Sequence, residues 1–168
     1  MCDYSLAGIP NRLATVGDEL ITHRFQTGAV GMASVLEVVR SNRIEEARPR
    51  RRGIWAGLQE WLSGPRANEG ICAVCLAPGA VLQMTAIPES LRRRFALSAV
   101  EEVQFTQLSA EAYQYRDAIR FRNGRHLILQ YLQEGVRFKV VSDGAESQLQ
   151  NVESQERTQT VGTRRIPA

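Results

Sequence analysis

The stretch Tyr113-Gln114-Tyr115-Arg116-Asp117-Ala118-Ile119-Arg120-Phe121-Arg122-Asn123-Gly124 decides the fold class. Tyr113, Tyr115, Asp117, Ile119 and Phe121 take every second position, with Gln114, Arg116, Ala118, Arg120 and Arg122 between them, which is the period of a strand with one buried face. Asn123-Gly124 follows at once, and this pair is the strongest short hairpin signal because both central positions of a tight type I′ turn need positive φ. With a two-residue loop, Phe121 faces His126, Ile119 faces Ile128, Asp117 faces Gln130 and Tyr115 faces Leu132. The tyrosines then share the core side with Ile119 and Phe121, and Asp117, Gln130 and His126 lie among apolar neighbours. A carboxylate there is costly to ionise unless paired, so Asp117 is expected to meet an arginine or His126. It would serve as a hydrogen-bond anchor or, beside a metal, as an orienting group or base.

The same two-residue period recurs outward from this hairpin. Val136, Phe138 and Val140 alternate with Arg137, Lys139 and Val141; Val103 and Phe105 alternate with Gln104 and Thr106; Ile21, His23 and Phe25 oppose Leu20, Thr22 and Arg24. Residues 71–87 predict two strands folded on each other at Pro78-Gly79. Gly28-Ala29-Val30-Gly31 opens a further apolar run that ends near Val39. Two short helices are expected, one where Pro88-Glu89 leads into Leu91 and Phe95, the other where Trp55, Leu58, Trp61 and Leu62 recur at helical spacing before Gly64-Pro65. The segment near 40–53 is rich in arginine and poor in large apolar groups, and predicts an exposed loop or a frayed helix. Helices do not alternate with strands, so the expected class is mainly β, with α+β possible. The architecture is a small barrel- or sandwich-like antiparallel sheet of roughly eight strands with two short helices. Residues 1–142 would form this single domain. In 143–168 the sizeable apolar side chains are only Leu149, Val152, Val161 and Ile166, the composition of a disordered tail.

Composition bounds the function. The chain has 168 residues, 43% hydrophobic and 23% charged, enough for one core that needs neither disulfide nor metal merely to stay folded. Basic residues number 21 against 18 acidic ones, and Lys139 is the only lysine; a net charge of +3 does not by itself imply a nucleic-acid partner. Met1-Cys2-Asp3-Tyr4-Ser5-Leu6 carries an acid where a signal peptide carries positive charge. The most apolar stretch, Ile71 to Met84, is broken by Pro78-Gly79 and is too short for a membrane span. The expectation is a cytoplasmic protein without a membrane partner.

Three cysteines, Cys2, Cys72 and Cys75, are an odd number and too few for a secreted disulfide framework. Cys72-Ala73-Val74-Cys75 has recognised chemical spacing, since thiolates at i and i+3 can grip one tetrahedral ion when the backbone turns between them. Cys2 and His23 would complete a Cys3His set for zinc or another transition metal, giving Cys2, His23, Cys72 and Cys75 as the candidate ligands. The spacing also carries its own test. A strand running straight through the motif points the two sulfurs to opposite faces. Packing of free cysteines in the core and redox cycling are the other readings; the latter lacks the helix N-terminus that lowers a reactive thiol's pKa. Cys2, exposed by removal of Met1, could instead act as an amine-activated nucleophile in a thiol enzyme.

Arg48-Pro49-Arg50-Arg51-Arg52 and Arg92-Arg93-Arg94 could neutralise phosphates, but a preference for arginine throughout the chain explains them equally well. No phosphate loop, nucleophile elbow or zinc-protease motif occurs. The sequence therefore points first to a small metal-binding protein with a cysteine-centred site, structural or catalytic. The alternatives are a barrel-like interaction module for nucleic acid or protein, and a thiol enzyme using Cys2.

Overall fold

A computed structural model of the chain describes residues 6, 8–47, 70–109, 111 and 114–144. Their alternating stretches form nine strands: β1 (Asn11–Leu13), β2 (Glu19–Arg24), β3 (Val30–Ser34), β4 (Ala73–Cys75), β5 (Val81–Thr85), β6 (Glu101–Gln107), β7 (Asp117–Phe121), β8 (His126–Ile128) and β9 (Arg137–Ser142). Helix α1 spans Val35–Ala47, α2 spans Glu89–Phe95, and Leu129–Tyr131 makes one 3-10 turn. The fold is mainly β, as the alternation requires. The strands join in one sheet in the order β1-β4-β3-β2-β9-β5-β6-β7-β8, which does not close into a barrel, and the β1–β4 pair is parallel, so the sheet is mixed rather than antiparallel throughout.

Chain order and sheet order part company at β9. Its Phe138 lies opposite Leu20 of β2 and also opposite Met84 of β5, so the last strand is the mortar between two sets of strands that precede it. Thr22 secures the join. Its backbone N–H donates to the Val136 carbonyl at 2.9 Å, its hydroxyl donates to the Gln133 carbonyl at 2.6 Å, and the same oxygen accepts the Val136 N–H at 3.0 Å. A buried hydroxyl thus satisfies backbone groups that a bend in the chain would otherwise orphan.

One face of the sheet wraps around a single core holding Leu20, Met32, Val74, Leu82, Phe105, Ile119, Leu127, Phe138 and Val140, which come from eight of the nine strands. On the opposite face, Phe25, Ala33, Val38, Ile71 and Ala73 form a second cluster beneath α1, joined by Leu6. The β2 alternation is therefore a division between two cores: Leu20 and Thr22 are buried on one side, while Ile21 packs against the cluster on the other.

Four expectations need correction. The strands of residues 71–87 do not pair with each other: β4 joins β1 and β3, whereas β5 joins β6 and β9. The turn at Pro78-Gly79 exists, with Ala80 N–H bonded to the Ala77 carbonyl at 3.0 Å, but it carries the chain across the core instead of folding it back. The run from Val30 to Val39 splits into β3 and the start of α1, because its side chains suit either period, and the helix continues through Arg40 and Arg43 to Ala47, the helical one of the two readings of that segment. Tyr115 precedes β7 and is 50% exposed instead of core. Tyr113, the helix expected at Trp55 to Leu62 and the segment after Gly144 lie outside the described residues.

The last correction concerns the decisive hairpin. Ile119 lies opposite Leu127 and Arg120 opposite His126, one residue away from the expected register. Phe121 N–H bonds to the Arg125 carbonyl and Gly124 N–H to the Phe121 carbonyl, each at 2.9 Å, so the loop is the three residues Arg122-Asn123-Gly124, with Gly124 at φ +80°. That is the three-residue alternative to the primed two-residue turn. A one-residue slip exchanges the faces of a strand. Leu127 accordingly enters the core, and His126 stands in solvent. Because a branched side chain is strained at positive φ, Gly124→Val should lower unfolding stability by about 2 kcal/mol, seen as a lower urea midpoint at unchanged slope. An unchanged midpoint would contradict this loop geometry.

Candidate functional site

The sheet's failure to close leaves a seam between β3–β4 on one side and β6, β7 and the 3-10 turn on the other. No ladder crosses it there; a side chain does. Gln130 Oε1 accepts the Val30 N–H at 2.8 Å, and Gln130 Nε2 donates to the Gly28 carbonyl at 3.4 Å. A narrow crevice of about 20 Å³ remains, lined by Leu6, Met32, Cys75, Tyr115, Asp117 and Gln130 among others, enough for about one water molecule. Leu6 fills the seam from outside. A Cβ added to Gly31 would stand 2.9 Å from Leu6 Cδ1, so the absence of a side chain at position 31 is what lets Leu6 seat.

Asp117 is 7% exposed, as its place in the alternation demands. The Gln107 side-chain amide on the neighbouring strand donates to its Oδ1 at 2.9 Å. His126 turns away with the corrected register.

The candidate metal ligands fall as follows. His23 lies on β2 opposite Gly31, with its ring edge-on to Phe25 at 5.1 Å between centroids. Cys72 precedes β4 and Cys75 ends it, and the strand's extended run is anchored by Ala73 N–H to the Pro10 carbonyl at 2.8 Å and by Ala14 N–H to the Cys75 carbonyl at 2.9 Å. No turn separates the two sulfurs. Cys75 is disulfide-bonded, and a disulfide sulfur is not the thiolate that zinc takes; Cys72 is a free thiol. Cys2 lies outside the described residues. Among the described residues, no group of three or more His, Cys, Asp or Glu side chains is placed to hold a metal ion.

Cys72 is not poised for attack either. Burial pushes its thiol pKa up from the ordinary value, and the Glu37 carboxylate pushes it further, against a smaller opposing pull from Arg12. Glu37 is held nearby because it accepts the Cys72 backbone N–H at 3.0 Å.

A second grouping forms where α2 meets the β7–β8 hairpin. The helix ends at Ala96 in the left-handed region, leaving carbonyls to satisfy, and the hairpin supplies the donors. Asn123 Nδ2 donates to the Phe95 carbonyl at 3.0 Å, and Arg125 Nη1 donates to the Arg94 carbonyl at 2.8 Å. Phe95 itself is buried against Phe121, with ring centroids 5.0 Å apart. Two guanidiniums lie over its ring, Arg125 at 4.6 Å from the centroid and Arg94 at 5.5 Å. On the same helix Arg92 and Arg93 are both paired with Glu89, while Arg122 of the hairpin loop is paired with Glu102 of β6 at 3.1 Å. Arg94 and Arg125 have no carboxylate within ion-pair distance among the described residues. The triplet Arg92-Arg93-Arg94 was visible in the sequence. Its joining with Arg125, some thirty positions on, is a product of the tertiary fold.

No helix among the described residues is long and apolar enough to cross a membrane. Compared with protein-family models, with curated proteins and with solved structures, the chain matches none.

The surroundings of Cys72 predict slow alkylation by iodoacetamide at neutral pH, with a rate that climbs to a midpoint above that of an ordinary thiol. In Glu37→Gln the midpoint should move down, because the carboxylate that opposes thiolate formation is gone while the burial remains. A rate profile like that of a free thiol, or one indifferent to the Glu37 change, would contradict the assignment.

Proposed function

We propose that this chain is a non-catalytic binding module whose arginine surface at the α2–hairpin junction engages the phosphate backbone of nucleic acid. The observation that supports it most is the pair Arg94 and Arg125, held on one phenyl ring without a carboxylate partner among the described residues. Their distances from the ring place the two charges within about 10 Å of each other, a separation at which like charges in water repel by only about 0.4 kcal/mol. Such a pair can be kept ordered at low cost and still gain when an anion lies across both. Arginine suits this task because its planar fork bonds phosphate oxygens in pairs while its flat face stays on the ring.

Metal ligation by Cys2, His23, Cys72 and Cys75 asks for more. The disulfide at Cys75 would have to be reduced, and the extended backbone of β4 would have to turn to bring two sulfurs to one side. The arginine surface needs no rearrangement.

Binding of a short fluorescent DNA duplex of mixed sequence tests this reading. Four phosphate contacts predict roughly a hundredfold loss of affinity between about 50 and about 200 mM salt. Charge reversals Arg94→Glu and Arg125→Glu should each weaken binding about tenfold or more and flatten the salt dependence, while Arg24→Ala at the end of β2 should leave binding unchanged. Binding that ignores both reversals, or an acidic peptide that binds as tightly as the duplex, would overturn the proposal. Stoichiometric metal in the reduced protein that disappears in Cys72→Ser would favour the metal centre in its place.

A further inference from the structure

We infer that the outer face of β5, β6 and β7 carries a binding site for a small carboxylic acid, whose carboxylate is held by Arg120. A groove of about 450 Å³ lies there, lined by Val81, Glu102, Gln104, Arg120, Arg122 and Gly124 among others, a volume within the range of small-molecule sites. It is separate from the arginine surface at α2. Arg120 and Arg122 stand on either side of Phe121 in the chain, and Phe121 turns inward against Phe95, so the alternation of the strand sends both arginines to the opposite face.

The backbone gives the groove its shape. Val81 lies opposite Gln104, and Gln104 opposite Arg120, so one row of side chains crosses from β5 to β7. On the other side of β5 the pairing steps from Val81 with Ser142 to Leu82 with Val140, which leaves Val141 of β9 as an extra, bulged residue. A bulge bends its strand and increases the local twist, and this one does so beside Val81 at the wall of the groove. Gly124 leaves the hairpin end without a side chain.

The charge of the lining is unbalanced by one. Arg122 is paired with Glu102 at 3.1 Å, whereas Arg120 has no carboxylate within ion-pair distance among the described residues. Its guanidinium donates instead to the side-chain oxygen of Gln104, and Gln104 is itself fixed because its amide nitrogen donates to the Gly79 carbonyl at 3.3 Å. This neutral acceptor orients the guanidinium, leaves its charge uncompensated and leaves N–H groups to spare. With Glu102 and Arg122 cancelling, the complement of the site is a single negative charge. A carboxylate supplies that charge and accepts two parallel hydrogen bonds from the planar fork of arginine, whereas a phosphate monoester brings up to two charges. Half-buried Val81 offers the rest of the ligand an apolar contact.

Benzoate, a carboxylate on an apolar ring, is the probe, with benzamide as its neutral isostere. Each is titrated into the full chain at neutral pH while the arginine Nε–Hε and glutamine side-chain signals are followed by NMR. Benzoate should give saturable shifts at Arg120 and Gln104, half complete in the low millimolar range, and benzamide should give none. Arg120→Gln should weaken benzoate binding about tenfold or more, read at Gln104, and Arg120→Lys should restore only part of the loss because it returns the charge without the fork. Arg94→Gln, at the α2 surface, should leave benzoate binding unchanged. Equal shifts with benzamide, shifts centred on Arg94 and Arg125, shifts at Arg120 that do not saturate, or an Arg120→Gln protein that binds benzoate like the wild type would each overturn the inference. Inorganic phosphate that binds at Arg120 more tightly than benzoate would overturn the choice of a carboxylate.

Discussion

The insertion of β9 between β2 and β5 is the constraint on which the rest of the structure depends. Strands made early in the chain, β2 to β4, and those of the second half, β5 to β8, have no ladder in common. They share one because Phe138 meets Leu20 on one side and Met84 on the other. Without that strand, the apolar faces of both sets would be open to water. With it they enclose one core, and Thr22 ties the incoming backbone at Gln133 and Val136 so that its own buried hydroxyl is satisfied. The sheet then curls until β3 and the 3-10 turn almost meet, and Gln130 spans the remaining gap with its side chain. The seam, the small crevice and the seat of Leu6 follow from a barrel that stops short of closure.

Local alternation made much of this legible. The burial of Val103, Phe105, Ile119, Phe121, Val136, Phe138 and Val140 follows from a period of two residues, and so does the burial of Asp117. Pairing over long distances did not. Nothing in residues 71–87 shows that two strands joined by a tight turn will separate, because a turn sets the direction of the chain and the strands' partners are set by the core they share. The hairpin shows a finer limit. Asn123-Gly124 was correctly located as the turn, but whether the loop has two residues or three changes the register by one, and with it the side of the sheet on which His126 emerges. The run from Val30 to Val39 was ambiguous for another reason: short, continuously apolar segments carry no period, so the change from β3 to α1 left no mark.

The candidate site divides along the same line. The spacing of Cys72 and Cys75 was plain, and the test attached to it, that a straight strand parts the sulfurs, is the geometry found at β4. The arginine surface was not legible as a unit. Arg92-Arg93-Arg94 looked like the solvated side of a short helix, and nothing local marked Arg125 as its partner. They come together because α2 exposes its last carbonyls to the hairpin, and because the three-residue loop carries Arg125 over the ring of Phe95. A structural need, the capping of a helix, has thereby gathered charge at one end of the molecule.

The most direct test of this account is side-chain NMR of the arginine Nε–Hε groups during titration with a short DNA duplex. The account predicts saturable shifts confined to Arg94, Arg125 and their neighbours on α2, reversed by added salt. Shifts centred on α1 or the seam, or none at these arginines while the duplex binds, would contradict it.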